Sequence, residues 1–377
     1  MVRSEAAATT TADPVLDTAA KAYAEGRFDL CRTLLERHLA AYPEDHEARA
    51  LLAEAQLLQG DFKQGLAHYE SRWHLPRFEP YLRPFRQPLW HGEPLGRQTL
   101  LVTPEQALGE VVLFSRFAPL LLHLHSSAHV VLEVQQRAVA LLAYSFQNAR
   151  RLRVVPTLDR EGANLPPFDL HVSLCSLPHR LGIDADSIPA AESYLYAPAP
   201  RRMAPENSLA VGISWRSINP QNGKQRSLPL QELARMLQQP GTRLVNLQYG
   251  ESQRDQDELL RREGITLANP EGVAQDGDLA ELANLAAGCD LVVSIDNTTA
   301  HLAAALGRPT WVLLHHAPSW RWHLERSDSP WYPTARLFRQ PGPGDWQEPL
   351  VGLRSALLDL LAERDKAGKA EDGKAAT

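Results

Sequence analysis

The sequence has few cysteines, no long apolar run and no excess of positive charge. Its 377 residues include three cysteines, Cys31, Cys175 and Cys289, which are widely spaced and form no C-x-x-C pair. This argues against a disulfide framework or a cysteine zinc site, and we expect all three thiols to be buried. The formal net charge of −6 argues against a protein that coats nucleic acid or an anionic membrane.

Hydrophobic stretches such as Ala118–Leu124 are far shorter than the ~20 residues of a membrane span. The first 13 residues are rich in Ala and Thr and lack an apolar segment, so we expect no signal peptide. We therefore expect a cytoplasmic protein, with peripheral attachment to the inner face of the membrane as an alternative. The hydrophobic content of 44% and the charged content of 22% are typical of globular domains. The length predicts two or three domains.

The N-terminal part contains a repeated pattern. Gly26 and Gly60 are 34 residues apart, as are Phe28 and Phe62. Each Gly-x-Phe turn lies between two amphipathic helical patterns. This helix–turn–helix period resembles the tetratricopeptide repeat. We assign residues 14–74 to this helical segment, which either binds a protein partner or only supports the rest of the chain.

After a linker at 75–97 that is rich in Pro, Arg and aromatic residues, apolar strands alternate with helices. This alternation predicts parallel sheets covered on both faces. A Pro-rich loop separates a first half (98–205) from a second half (206–364), so we predict an α/β fold with two Rossmann-like halves and a cleft between them. We expect the last helix to end at Arg364 and the tail (365–377) to be disordered.

The most informative segment begins with an acid, Asp296, at the end of a predicted buried strand. In the run Asp296-Asn297-Thr298-Thr299-Ala300-His301, Asn297 or Thr298 can cap the next helix, whose free N–H groups favour a phosphate. Asp296 can accept hydrogen bonds from sugar hydroxyls, and His301 lies in the first helical turn. A capped helix with a structural histidine explains the same pattern.

Two further segments carry candidate chemistry. A loop after the first strand of the second half holds Ser214, Arg216, Lys224 and Arg226, and five basic residues lie between positions 201 and 226 against one acid. Such cations suit a diphosphate, although a solvated loop is the alternative. In the first half, Gly109 and Glu110 begin a helix, and a carboxylate there could act as a general base or simply as a helix cap.

Together these segments resemble the heptosyltransferase-like glycosyltransferases of family 9, which have the GT-B fold. The flanking sequence resembles bacterial proteins that join tetratricopeptide repeats to such a domain, and a looser likeness runs to the protein O-GlcNAc transferases. The segments that carry the resemblance are Trp90-x-Gly92, Glu105-Gln106, Ser176–Pro178, Arg226–Leu230, Leu247-Gln248, Trp320–Trp322, Asp328–Thr334 and Arg336–Gln340.

The resemblance implies inverting transfer of a sugar from a nucleotide-sugar donor, without a metal or other cofactor. It places the donor in the second half, with Ser214, Arg216, Lys224, Arg226, Gln248, Asp296, Asn297, Thr298 and His301. It places the acceptor (a polysaccharide, lipid-linked glycan or protein) in the first half, beside the loop of Glu105, Gln106 and Gly109, with Glu110 as the catalytic base. Relatives usually carry Asp where this chain has Glu110, and Gly where it has Ala107. A non-catalytic adaptor with a degenerate GT-B domain and a nucleotide-sugar epimerase are the alternatives.

Overall fold

A computed structural model describes residues 13–105, 107–205, 207–220, 222–270 and 277–375. Gln106 lies outside these residues. The described chain has a mixed α/β architecture with two parallel sheets, as the sequence predicts. None of its helices is both long enough and apolar enough to cross a membrane.

Two helical hairpins precede the sheets. Helix α1 packs on α2, and α3 packs on α4. The turns within the hairpins contain Gly26 and Gly60 at φ of +75° and +88°, a conformation that glycine adopts without strain. The helices agree with the predicted pattern, and their assignment to tetratricopeptide repeats stays a prediction. Their bounds are α1 Pro14–Ala24, α2 Phe28–Ala41, α3 His46–Leu58 and α4 Phe62–Tyr69, followed by 3-10 helices at Glu70–His74 and Pro76–Tyr81.

The first half forms a four-stranded parallel sheet in the order β3-β2-β1-β4. Val102 of the central strand β1 lies opposite Leu132 of β2 and Val172 of β4, and all three side chains are buried. The elements are β1 Thr99–Thr103, α5 Leu108–Phe114, α6 Phe117–Leu124, β2 His129–Val134, α7 Gln136–Ser145, β3 Leu152–Pro156, β4 Leu170–Ser173, a 3-10 helix Leu174–Ser176 and α8 Leu177–Arg180.

The second half forms a five-stranded parallel sheet in the order β6-β5-β7-β8-β9. Its central strands β5, β7 and β8 are fully buried, so the loops at their carboxyl ends meet along one edge. The elements are β5 Leu209–Ser214, α9 Gly223–Arg226, α10 Leu230–Leu237, β6 Thr242–Asn246, α11 Gln253–Glu263, α12 Leu279–Ala287, β7 Leu291–Ile295, α13 Thr298–Ala305, β8 Thr310–Leu314, a 3-10 helix Trp320–Trp322, β9 Ala335–Arg339 and α14 Gln347–Ala375.

The structure differs from the sequence-based prediction in four places. The sequence pattern predicts a single helix over 104–124, but this helix is broken between α5 and α6, because Pro119 lacks the N–H that a continuous helix would bond to Ser115. The sequence pattern predicts neither helix α7 nor strand β9. Helix α14 continues to Ala375 instead of ending at Arg364, consistent with the high helix propensity of its Ala, Lys and Glu residues.

The end of the linker packs against the first sheet. Leu89 forms a parallel bridge with His171 of β4. The Trp90 side chain is completely buried, and its indole N–H donates to the carbonyl of Glu93 at 2.8 Å. The three cysteines are free and buried, which confirms their predicted role as small apolar side chains.

Candidate functional site at the junction of the two halves

The first turn of α5 lies directly against the first turn of α13. An added Cβ on Gly109 would lie 3.2 Å from Cδ2 of His301 and 3.8 Å from Oγ1 of Thr298. Only a glycine lets the two backbones approach this closely without moving the histidine. Two of the segments selected from the sequence, one in each half, therefore meet. We call the place where α5, α13 and the 3-10 helix Trp320–Trp322 converge the junction.

Asp296 lies at the centre of the junction and is 3% exposed. Its Oδ2 atom lies 3.2 Å from Nη1 of Arg226, and its Oδ1 atom lies 3.7 Å from Nε2 of His301. Burial acts to raise the pKa of the Asp296 carboxyl, but the charge of Arg226 and smaller contributions, including a hydrogen bond from Trp322, together outweigh burial and hold the pKa below its usual value. Asp296 is therefore a carboxylate at neutral pH, able to accept hydrogen bonds from sugar hydroxyls.

His301 is held as a neutral imidazole. Burial lowers its pKa to about 4, although Asp296 opposes the shift. Its Nδ1 atom lies 3.0 Å from the hydroxyl of Tyr332, and its ring stacks on Trp322 with the ring centroids 5.0 Å apart. These contacts fix the ring beside Asp296. The neutral ring can donate a hydrogen bond through one nitrogen and accept one through the other.

Glu110 lies in the first turn of α5 and faces the second half. Its Oε1 atom lies 3.1 Å from Nη2 of Arg321, across the boundary between the halves. The Glu110 side chain is 16% exposed. In the sequence, Arg321 belongs only to a segment that carries the family resemblance and is not a candidate site residue. The two tryptophans that flank it, Trp320 and Trp322, are the local signal that this charged group has apolar surroundings.

Three of the residues predicted to bind the donor, Ser214, Gln248 and Asn297, are hydrogen-bonded to neighbouring side chains and backbone groups. The Asn297 side-chain oxygen accepts from the backbone N–H groups of Thr299 and Ala300, and its amide donates to Ser214 at 2.8 Å. The Gln248 oxygen accepts from the N–H groups of Trp215 and Arg216. Asn297 is thus the predicted helix cap, but it occupies two of the amides that the sequence offered to a phosphate. Ser214, Gln248 and Asn297 shape the loops and do not themselves present free groups.

The cationic side chains of the basic loop do not meet at one place. Arg226 points into the junction. Arg216 lies 3.7 Å from Asp255 of α11, and Lys224 is exposed to solvent. Of the three cations expected to neutralise a diphosphate, the structure brings only Arg226 to Asp296.

Glu105 is not placed to contact an acceptor. Its carboxylate is 1% exposed and accepts two hydrogen bonds from Arg72 of the helical segment, at 2.8 and 2.9 Å, and a third from Ser173. Burial acts to raise the pKa of Glu105, but the charge and hydrogen bonds of Arg72, with further hydrogen bonds from Ser173 and Cys175, together outweigh burial and lower the pKa. Glu105 is therefore a structural anchor for the helical segment. This partner could not be read from the sequence, because it lies 33 residues away.

The helical segment forms a third wall of the junction. Helix α3 packs on the 3-10 helix Trp320–Trp322, and Phe62 stacks on His323 with the ring centroids 5.4 Å apart. An added Cβ on Gly26 would lie 3.0 Å from Nε2 of His316. Burial raises the pKa of Glu54 on α3, and the nearby charge of Arg321 opposes this shift, so Glu54 lies close enough to interact with the junction.

Comparisons with known proteins fit this geometry. Residues 229–335 match the model of glycosyltransferase family 9 (heptosyltransferase). This range contains Asp296, His301 and Arg321, and it supports a glycosyltransferase domain in the second half, in agreement with the resemblance seen in the sequence.

The chain is also similar to a curated protein and to solved structures. It is 29% identical over 351 residues to protein FlbA of Caulobacter vibrioides, covering 85% of this chain and 56% of that protein, so it spans about half the length of its relative. The structure of a glycosyl transferase of family 9 from Veillonella parvula is 14% identical, with a TM-score of 0.52 over 73% of this chain and 100% of the other. That likeness shows a shared fold. E. coli ADP-heptose LPS heptosyltransferase II is 16% identical, with a TM-score of 0.45 over 69% of this chain and 99% of the other.

The buried histidines of the junction predict a loss of stability in mild acid. Burial lowers the pKa of His301, His315 and His323 to about 4, whereas the unfolded chain binds these protons near pH 6.5. Stability is therefore present above pH 6.5 and is lost as the pH falls from 6.5 towards 4. At pH 5.5 each histidine is expected to cost on the order of 1 kcal/mol.

Urea unfolding at pH 7.5 and 5.5 measures this effect. His301→Gln should reduce the difference between the two pH values relative to the wild type, and His123→Gln, at an exposed histidine, serves as the matched control. A free energy of unfolding that does not change between these pH values would contradict the assignment of neutral, buried imidazoles.

Proposed function

We propose that the protein is a glycosyltransferase that moves a sugar from a nucleotide-sugar donor to a hydroxyl of a polysaccharide, lipid-linked or protein acceptor. It would act in the cytoplasm or at the inner face of the membrane. One observation carries the proposal: the Glu110 carboxylate of the first half contacts Arg321 of the second half. The adjacent Gly109 packs on His301, which lies beside Asp296 and its partner Arg226. An acid of the first half thus meets a buried cluster of charged and hydrogen-bonding groups of the second half.

The chemistry requires one base and no proton donor for the leaving group. An acceptor hydroxyl attacks the anomeric carbon of the donor sugar and transfers its proton to Glu110. The bond from that carbon to the phosphate oxygen breaks with inversion, and the nucleoside diphosphate leaves as an anion. Arg226 and Arg321 stabilise the charge that develops on it, in a buried setting where such charges act strongly. Asp296 and His301 hold the sugar hydroxyls, and no metal is needed for these steps.

The helical segment has a place in this proposal. Arg72 and the aromatic contacts of Phe62 hold it against both halves, so it acts at least as a support for the junction. A protein or glycan partner bound to its exposed faces would lie close to the acceptor side of the site. Both roles named for the repeats are therefore compatible with transfer.

A ligand panel tests donor binding directly. We expect one nucleoside diphosphate and its nucleotide sugars to raise the thermal unfolding midpoint of the wild-type protein. Nucleoside diphosphates that carry other nucleobases should have smaller effects. A ligand at 100 times its dissociation constant stabilises the folded state by about 2.7 kcal/mol. Differential scanning fluorimetry with ADP, GDP, UDP and CDP and their common sugars measures the shift. The absence of any shift with all of these compounds would remove the basis of the proposal.

The non-catalytic adaptor is the second candidate, and one observation favours it. Glu110 already lies in an ion pair with Arg321, as a carboxylate with a purely structural role would. An adaptor would bind a nucleotide sugar with the same thermal shift but would release no nucleoside diphosphate. Product analysis after incubation with the bound donor separates the two functions.

A further inference from the structure

Arg321 has an unusual hydrogen-bonding state for a buried arginine. It is 8% exposed, and its guanidinium lies 4.7 Å from the centre of the Trp320 ring and 5.6 Å from that of Phe114. Its Nη1 atom donates to Ser319 at 2.9 Å. Its Nε and Nη2 atoms are buried and have no hydrogen-bond partner among the described residues.

These two atoms form one edge of the guanidinium. The Nε–Nη2 edge presents two nearly parallel N–H groups, the geometry that binds a carboxylate or phosphate through two oxygens at once. Glu110 lies 3.1 Å from Nη2 but makes no hydrogen bond to this edge. The charge of Arg321 is thus balanced, while the hydrogen-bonding capacity of its Nε–Nη2 edge is unused.

A purely structural role does not account for this arrangement. Buried donors in folded proteins are almost always hydrogen-bonded, because an unpaired one costs free energy. The buried Arg72 of this chain follows that rule, since its Nε, Nη1 and Nη2 atoms all donate. Among the described residues, Arg180, Arg216, Arg226 and Arg308 each have one buried Nε atom without a partner, whereas Arg321 leaves two donors unpaired. Of these arginines, Arg226 also belongs to the junction. Two arginines with unused donors therefore lie in one site.

We propose that the Nε–Nη2 edge of Arg321 binds an anionic group of the substrate, and that this anion displaces Glu110 from its ion pair. The anion is either the diphosphate of the donor or a carboxylate carried by one of the sugars, since both offer two oxygens. This inference rests on the proposed function. Its consequence is that Glu110 becomes available as a base only after the anion has bound, so the ion pair suppresses proton transfer in the empty site.

Binding measurements on matched variants test the proposal. Arg321→Lys keeps the positive charge but removes the two-pronged edge, and we expect it to raise the Kd of the preferred nucleoside diphosphate about 10- to 100-fold. The Kd of the corresponding nucleoside should stay unchanged. Glu110→Gln removes the competing carboxylate and should lower the Kd of the same diphosphate about 5-fold. Arg326→Met is the control, because Arg326 lies in the same segment but is paired with Asp328 near the surface.

Isothermal titration with ADP, GDP, UDP, inorganic pyrophosphate and glucuronate distinguishes the sources of the anion. If Arg321→Lys weakens the binding of the diphosphates and pyrophosphate only, the edge binds the donor. If the variant weakens the binding of glucuronate only, the edge binds a sugar carboxylate. An unchanged Kd in Arg321→Lys for every compound that the wild type binds overturns the inference while leaving the proposed function intact. An equal loss of affinity for the nucleoside in Arg321→Lys shows a general structural effect and also overturns the inference. Failure of the wild type to bind any of these compounds overturns both.

Discussion

Glu110→Gln is expected to lower the rate of nucleotide-sugar turnover by about 10²- to 10⁴-fold, the usual contribution of a general base. The amide has nearly the same shape as the carboxylate but cannot accept a proton from the acceptor hydroxyl. Turnover is measured as release of the nucleoside diphosphate, with water as the acceptor where no other has been identified. Donor affinity should not fall in this variant, since Glu110 contributes no hydrogen bond to the anion.

Two further variants define the role of Glu110. Glu281→Gln is the matched control, because Glu281 is also an acid in the first turn of a helix but is exposed on α12. It should leave turnover unchanged. Glu110→Asp moves the carboxylate by about 1 Å and should change the rate without abolishing it. Equal turnover in Glu110→Gln and the wild type would show that the proton is taken elsewhere and that Glu110 is only a partner of Arg321.

Arg72→Met is expected to lower the free energy of unfolding by about 3–5 kcal/mol, because it leaves the buried carboxylate of Glu105 without its partner. Arg72 is 1% exposed and bonds Glu105 through two N–H groups, while a third group donates to Ser176 at 2.8 Å. The same guanidinium lies 4.3 Å from the centre of the Tyr69 ring. The substitution therefore removes the main polar anchor between the helical segment and the first half.

Urea unfolding compares this variant with Arg77→Met. Arg77 pairs with Glu47 on the surface of the same segment, with both side chains 46% exposed, and its loss should cost no more than about 1 kcal/mol. The double variant Arg72→Met/Glu105→Leu should recover part of the stability, because no buried charge is then left unpaired. Equal effects of Arg72→Met and Arg77→Met would show that the buried pair is not an important anchor.

Much of the fold follows from short-range patterns in the sequence. The run of β-branched and apolar residues at 129–134 predicts a strand with the bounds that the structure shows, because this local pattern needs no distant information. The helix after Asp296 and its Asn297 cap were predicted for the same reason. Helix α7 was missed although Ala and Leu dominate it, and β9 was missed because Arg336 and Arg339 interrupt its apolar pattern.

The sequence by itself determined which residue types end the strands: a basic loop after β5, an acid after β7, and an acid in the first turn of α5. These are local features, set by periodicity, capping and charge. Only the tertiary structure decided which of them meet. Glu105 and Glu110 are both acids of the same loop and helix start, yet one is bound by Arg72 and the other faces Arg321, 211 positions along the chain. The packing of three segments around one guanidinium depends on long-range contacts between side chains, and no spacing within the sequence encodes it.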